Sequence, residues 1–301
     1  MPDLTKQCIE KAWSYLAQNP RQLDNALARH VVLEQPAEAV WAELEAYQNT
    51  DGGFAQGIEP DLRTPLTQGI STSVAFQYLR SSGAPSSLPM VQRAIAHLLE
   101  TLDRKAWVWP AIDDGLDAAP HAPWWDATDL DRYIGFVFNP STELAGYLFD
   151  HAALVPPEIR DGLAARILHS LKVDHPGPLE IYDLYPCIRL FHSPNLPAEL
   201  RELLTRRLPG EISAISADNA HAMPFQVVPT PTSPGASAFS DRLAAMPSTL
   251  AATQDDSGAW RPFWNWDFVD ATEWKQADQA WSAVLTANAL IGLHHHRMLP
   301  G

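Results

Sequence analysis

The pattern Gln-x-x-x-Gly-x-aromatic occurs twice in this chain, as "QNTDGGF" (Gln48 to Phe54) and "QDDSGAW" (Gln254 to Trp260). Each copy follows one helical segment and precedes another, "STSVAFQYL" in the first case and "QAWSAVLTANAL" in the second. A turn that recurs between helices restricts the fold strongly, because repeated helical hairpins bury their apolar faces only by stacking around a shared core. The residue types suit the task. Glycine permits a tight reversal, the glutamine amide can bond backbone groups at neighbouring helix ends, and the aromatic ring covers the joint.

Hydrophobic periodicity extends the helical reading along the chain. "CIEKAWSYLAQN" and "EAVWAELEAYQ" place their large apolar residues at helical spacing, and "STSVAFQYLRSS", "PMVQRAIAHLLETLD", "PSTELAGYLFDHAAL", "PPEIRDGLAARILHSLK", "PAELRELLTRRL", "AFSDRLAAMPSTLAATQ" and "ADQAWSAVLTANALIGLHHH" follow. Pro140, Pro157 and Pro197 stand where a first helical turn tolerates a missing N–H. Strand-like alternation is scarce, and the prolines of "MPFQVVPTPT" make it an irregular loop. These features predict an all-α chain of roughly a dozen helices.

Two long segments interrupt the periodicity, residues 105–135 and 255–276, and they hold eight of the eleven tryptophans. Long loops in compact domains are commonly functional, and Trp-rich ones are poor candidates for disorder, so ordered loops gathered at one face are expected.

Composition excludes several classes. The formal charge of −15, from 36 acids against 21 Lys and Arg, disfavours nucleic acid and anionic membrane surfaces. No apolar run approaches the roughly 20 residues of a membrane span, and "MPDLTKQCIEKAW" lacks a signal-peptide pattern. The expectation is a cytoplasmic protein with a small-molecule ligand, no nucleic acid and no integral membrane segment. Cys8 and Cys187 fit that compartment, and no cofactor or metal set is expected.

"AVWAELEAYQNTDGGF" resembles the QW-type repeat of terpenoid cyclases and protein prenyltransferase β subunits. The resemblance covers the first copy and Gln254 to Leu293, with "LDRKAWVWPAI" and "PSTELAGYL" as degenerate units between them. It implies a single α/α-toroid domain over residues 1–301, a barrel of helical hairpins. The activity does not carry over. No D-x-D-D tetrad occurs, Asp129 and Asp131 supplying half of one, and the spacing of Asp183, Cys187 and His192 does not match the family's zinc set.

Four segments carry candidate chemistry. "GIEPDLRTP" presents Glu59, Asp61 and Arg63, read either as a carboxylate held by an arginine fork or as a salt-bridged loop. "PHAPWWDATDLD" presents His121, Trp124, Trp125, Asp126 and Asp129; two adjacent indoles cannot both enter the core, so at least one is expected to line a cavity. "WRPFWNWDFVDATEW" brings Trp264 and Trp266 beside Asp267. "DDGLD", at Asp113, Asp114 and Asp117, matches D-D-x-x-D but reads as a solvated turn. Glu143 joins the acids if the amino end of its helix faces a central cavity.

Together these give, as candidate acids, Asp61, Asp126, Asp129 and Asp267. The candidate ligand-shaping residues are Glu59, Arg63, His121, Trp124, Trp125, Trp264 and Trp266. The leading expectation, by resemblance, is cyclase-like, acid-initiated chemistry on an isoprenoid or similar apolar small molecule. The alternatives are a carbohydrate-active lyase or hydrolase, since aromatic walls beside carboxylates also bind sugars, and a non-catalytic binding module.

Overall fold

The computed structural model describes residues 3–113, 116, 119–126 and 138–300. Among these the chain is all-helical, with twelve α-helices and no strand. They are α1 (Lys6–Gln18), α2 (Gln22–Leu33), α3 (Glu38–Leu44), α4 (Gly69–Ser81), α5 (Pro89–Thr101), α6 (Phe138–Asp150), α7 (Pro157–His169), α8 (Ile181–Phe191), α9 (Ala198–Ser213), α10 (Pro224–Val227), α11 (Ser240–Thr253) and α12 (Ala271–His295).

The even-numbered helices form an inner ring in chain order. α2 packs on α4, α4 on α6, α6 on α8, α8 on α10 and α10 on α12, and α12 returns to α2 to close it. The odd-numbered helices lie outside: α1 against α12 and α2, α3 against α2 and α4, α7 against α6, α9 against α8, and α11 against α10. The largest apolar cluster fills the space between the rings, with Phe54, Phe76, Trp109, Tyr147 and Leu190 buried in it.

Local chemistry sets the helix boundaries. Pro157 opens α7, Pro197 immediately precedes α9, and α6 becomes regular from Pro140 after a non-helical Asn139. Asp270 caps α12, its carboxylate accepting the N–H groups of Thr272 and Glu273 at 2.9 and 3.0 Å. The "MPFQVVPTPT" segment is not wholly irregular, because it holds the single turn of α10.

The repeated turn is built the same way in both copies. Gln48 donates to the carbonyls of Gly52 and Met90, the latter at the start of α5, at 2.9 and 3.0 Å. Gln254 donates to the carbonyls of Gly258 and Cys8, the latter in α1, at 3.0 and 2.8 Å. The backbone N–H of Phe54 bonds Thr72 and that of Trp260 bonds Thr286, both at 3.1 Å. Trp109 makes the equivalent bond to Ser141 at 3.0 Å, which places the degenerate "LDRKAWVWPAI" unit at the α5–α6 joint. Each glutamine thus ties one outer helix to the next, and the Gln254 copy joins the end of the ring to its beginning. None of the described helices is long and apolar enough to cross a membrane.

Candidate functional site

All six inner helices contribute to the lining of one central cavity of about 570 Å³, within the range of small-molecule sites. Leu27, Val74, Tyr78, Glu143, Tyr185, Gln226, Trp281 and Asn288 come from the helices; Ile58, Glu59, Asp61, Trp124, Trp125, His221 and Trp264 come from the joints between them.

The acidic end of the cavity is the α3–α4 joint. Arg21, buried at the start of α2, donates to the carbonyls of Gly57 and Ile58, each at 2.8 Å, and to Asp24 at 2.7 Å. Tyr78 donates to the other oxygen of Asp24 at 2.6 Å. Glu59 and Asp61 follow directly on this clamped backbone. The Glu59 carboxyl accepts the backbone N–H of Asp61 at 2.7 Å, a local turn that folds Glu59 back onto Asp61, close enough for the two acids to interact. A second strip of chain backs the turn, with the N–H of Ala122 on the Asp61 carbonyl at 2.9 Å and the N–H of Arg63 on the Pro120 carbonyl at 3.0 Å.

Asp61 is 2 % exposed, and indoles hold its side chain: Trp266 donates to one oxygen at 2.7 Å and Trp264 to the other at 3.3 Å. The indole N–H groups of Trp281 and Trp125 approach Asp61 and Glu59 respectively without closing a hydrogen bond of ordinary geometry. Burial pushes the Asp61 carboxyl up to about 6, with the indole donors opposing the rise. Burial, and then the adjacent Asp61 charge, push Glu59 well above the usual carboxylate range. Two neighbouring buried acids cannot both ionise cheaply, so the pair titrates as a unit and retains a proton, Glu59 holding it more firmly.

The remaining polar groups are committed differently. Glu143 on α6 is 1 % exposed, pairs with Arg189 of α8 at 2.9 Å and accepts from the Tyr147 hydroxyl. Tyr182 and His221 meet at 2.7 Å between hydroxyl and Nδ1, and Tyr185 donates to the His221 carbonyl at 2.6 Å. Aromatic rings run on from there in edge-to-face contacts, His221 to Phe263 at 4.9 Å, Phe263 to Trp264 at 5.0 Å and Trp264 to Trp281 at 5.1 Å. The described residues contain no group of three or more His, Cys, Asp or Glu arranged to hold a metal ion.

Set against the sequence reading, Glu59, Asp61, Trp124, Trp125 and Trp264 line the cavity together, and Trp266 stands behind them on Asp61. Arg63 does not form the fork proposed for it. Its guanidinium reaches Glu273 at 3.0 Å and Gln276 at 2.7 Å, and the arginine that serves this loop is Arg21. His121 bonds the Ala119 carbonyl at 2.7 Å and lies outside the lining, as does the half-buried Asp126. Asp267 is exposed and also outside it. Asp129, like Asp114 and Asp117, falls outside the described residues, and Asp113 is exposed.

Sequence reasoning did not single out Tyr78, Tyr182, Tyr185, Arg189, His221 or Trp281. A signal existed for α8, where Tyr182, Tyr185 and Arg189 recur at helical spacing as a polar stripe on an otherwise apolar helix. Comparison of the chain with protein-family models, curated proteins and solved structures finds no match.

Proposed function

We propose that this protein is an enzyme that encloses an apolar small molecule of the isoprenoid kind and starts its reaction by proton transfer from the Glu59–Asp61 pair. The observation that carries the reading is the placement of two buried, adjacent carboxyls at one end of a cavity walled by aromatic and aliphatic side chains. A carboxyl that keeps its proton near neutral pH is a competent general acid. Transfer of the Glu59 proton to an alkene carbon uses the π electrons to form the C–H bond and leaves a cation, for which the Asp61 carboxylate is the counter-charge and the indole faces are a favourable wall. Loss of a proton from an adjacent carbon to the Glu59 carboxylate then gives a neutral product and restores the acid.

The charge of the lining narrows the substrate. Three acids, Glu59, Asp61 and Glu143, face the cavity against one arginine among the described residues, and Arg189 is already paired with Glu143. A diphosphate would meet net repulsion there, so the substrate is an isoprenoid that carries no diphosphate.

The carbohydrate reading draws support from the amides of Gln77, Asn139, Gln226 and Asn288, which also line the cavity. Glycoside cleavage, however, needs two carboxyls flanking the scissile bond, at least about 5 Å apart. Glu59 and Asp61 share one side on one loop, and the Glu143 carboxylate is engaged by Arg189.

The test is incubation in D2O with farnesol, geranylgeraniol and squalene, and in parallel with a panel of oligosaccharides, using mass spectrometry of the products. The expected result is turnover of an isoprenoid with one deuterium fixed on carbon, lost in Glu59→Gln. Cleavage of a saccharide with the isoprenoids untouched would overturn the proposal in favour of the second reading.

A further inference from the structure

Asp61 is a buried carboxylate without a cationic partner among the described residues. The described ion pairs of the chain leave out both Glu59 and Asp61, and every side-chain donor to Asp61 is an indole N–H, which is neutral. Arg21 lies behind the loop, but its guanidinium is spent on Asp24 and on the Gly57 and Ile58 carbonyls. Burying a charge without a counter-charge is unfavourable, and such a site gains from any ligand that supplies one. Asp61 faces the cavity, whose one described arginine, Arg189, is paired with Glu143, so the counter-charge has room to arrive from a ligand.

The walls match that requirement. Trp264 and Trp281 stand edge to face beside Asp61, and Trp124, Trp125, Tyr78 and Tyr182 complete an aromatic surround. Aromatic faces with an adjacent carboxylate bind alkylated ammonium groups, whose diffuse charge sheds water easily. A compact, strongly hydrated metal ion would instead need several oxygen ligands, and the described residues offer no such set.

We propose that the cavity binds an apolar molecule carrying a tertiary or quaternary ammonium group, with the nitrogen seated between Asp61 and the Trp264 and Trp281 rings. This rests on the small-molecule reading above and narrows it: the ligand's fixed positive charge offsets Asp61, while Glu59 keeps its proton for the reacting carbon. Groups facing the same space are Glu59 on the α3–α4 joint, Glu143 on α6, Tyr182 and Arg189 on α8, and His221 before α10, with Arg21 of α2 behind the loop.

The experiment is a tryptophan-fluorescence titration with benzyltrimethylammonium and with neopentylbenzene, its uncharged counterpart of the same shape. At pH 8 the ammonium is expected to bind at least about tenfold more tightly, an advantage of about 1.4 kcal/mol. As pH falls toward 5 and Asp61 takes up a proton, the advantage shrinks, while the neutral probe is unaffected. Asp61→Asn should bind both probes alike at every pH. The pH profile of the unaltered protein tests the idea even if the variant fails to fold. Equal binding of the two probes at pH 8, or an advantage that survives in folded Asp61→Asn, overturns the ammonium site and leaves the small-molecule reading standing. Failure of both probes to bind overturns both.

Discussion

Trp266 donates its indole N–H to Asp61 at 2.7 Å across 205 positions of sequence. The contact exists because the toroid closes: the joint before α12 meets the joint before α4 only when α12 packs back on α2. It also sets the acidity of the site, since a donor to a carboxylate favours the ionised form. Trp266→Phe keeps an aromatic ring against Trp274 but removes that donor. The expected result is a further rise in the Asp61 pKa of about 1 unit, roughly 1.4 kcal/mol, read from the titration of its carboxyl carbon by NMR. A fall, or no change, would mean that the bond does not tune the acid.

Burial of Asp61 also makes stability depend on pH in a definite direction. Its folded pKa of about 6 lies above the ordinary aspartate value of 3.8. The folded state therefore binds the proton more tightly than the unfolded chain. The associated stability is complete below about pH 4 and is lost as pH rises through 6. A shift of this size corresponds to roughly 3 kcal/mol. Asp61→Asn, which cannot ionise, should unfold in urea with a correspondingly flatter pH dependence between pH 4 and 7. A profile parallel to that of the unaltered protein would show that Asp61 is not strained by burial.

The repeat turns give a prediction about backbone geometry. Gly258 has φ +94°, and a Cβ there would stand 2.5 Å from the Lys11 carbonyl oxygen of α1. Gly83 has φ +65° with nothing within 4 Å of the same position. Alanine at Gly83 meets the left-handed backbone cost alone, about 1 kcal/mol. Alanine at Gly258 adds a backbone clash at the ring closure and should cost at least about twice as much. Urea midpoints of the two variants compare them directly, and equal losses would show that α1 is free to move away from the turn.

The sequence made some of this visible, and the reason differs from element to element. An outer helix such as α5 has one wet face and one buried face, so its periodicity is plain. Three of the six inner helices, α2, α8 and α10, are the ones that periodicity passes over. An inner helix is covered on one side by the outer ring and faces a partly polar cavity on the other, so burial does not divide it into one wet and one dry face. α8 is buried along most of its length and carries Pro186, α2 buries Asp24, and α10 is a single turn. Glu59, Asp61 and the Trp pairs were legible as a site because turn residues, acids and indoles crowd short segments. Arg21 was not, since its role depends on carbonyls of Gly57 and Ile58 that no local pattern connects to it. Arg63 misled for the opposite reason: it adjoins the acids in sequence, yet it turns to Glu273.

Arg21 is accordingly the strongest structural prediction of the site. The residue is 7 % exposed, and its guanidinium satisfies Asp24 together with two carbonyls of the loop that presents Glu59. Arg21→Met removes the cation but leaves Asp24, 1 % exposed, with the Tyr78 hydroxyl alone. Breaking a buried pair in this way costs about 3 to 5 kcal/mol, because the surviving charge is uncompensated. The double variant Arg21→Met, Asp24→Leu removes that charge as well and should be less destabilised than the single one. Two orphaned carbonyls remain in it, at about 1 to 3 kcal/mol each, so it should not regain full stability. Urea unfolding of the two single variants and the double variant gives the coupling energy. A double variant as unstable as the sum of its parts would show that Arg21 acts through the loop carbonyls rather than through Asp24.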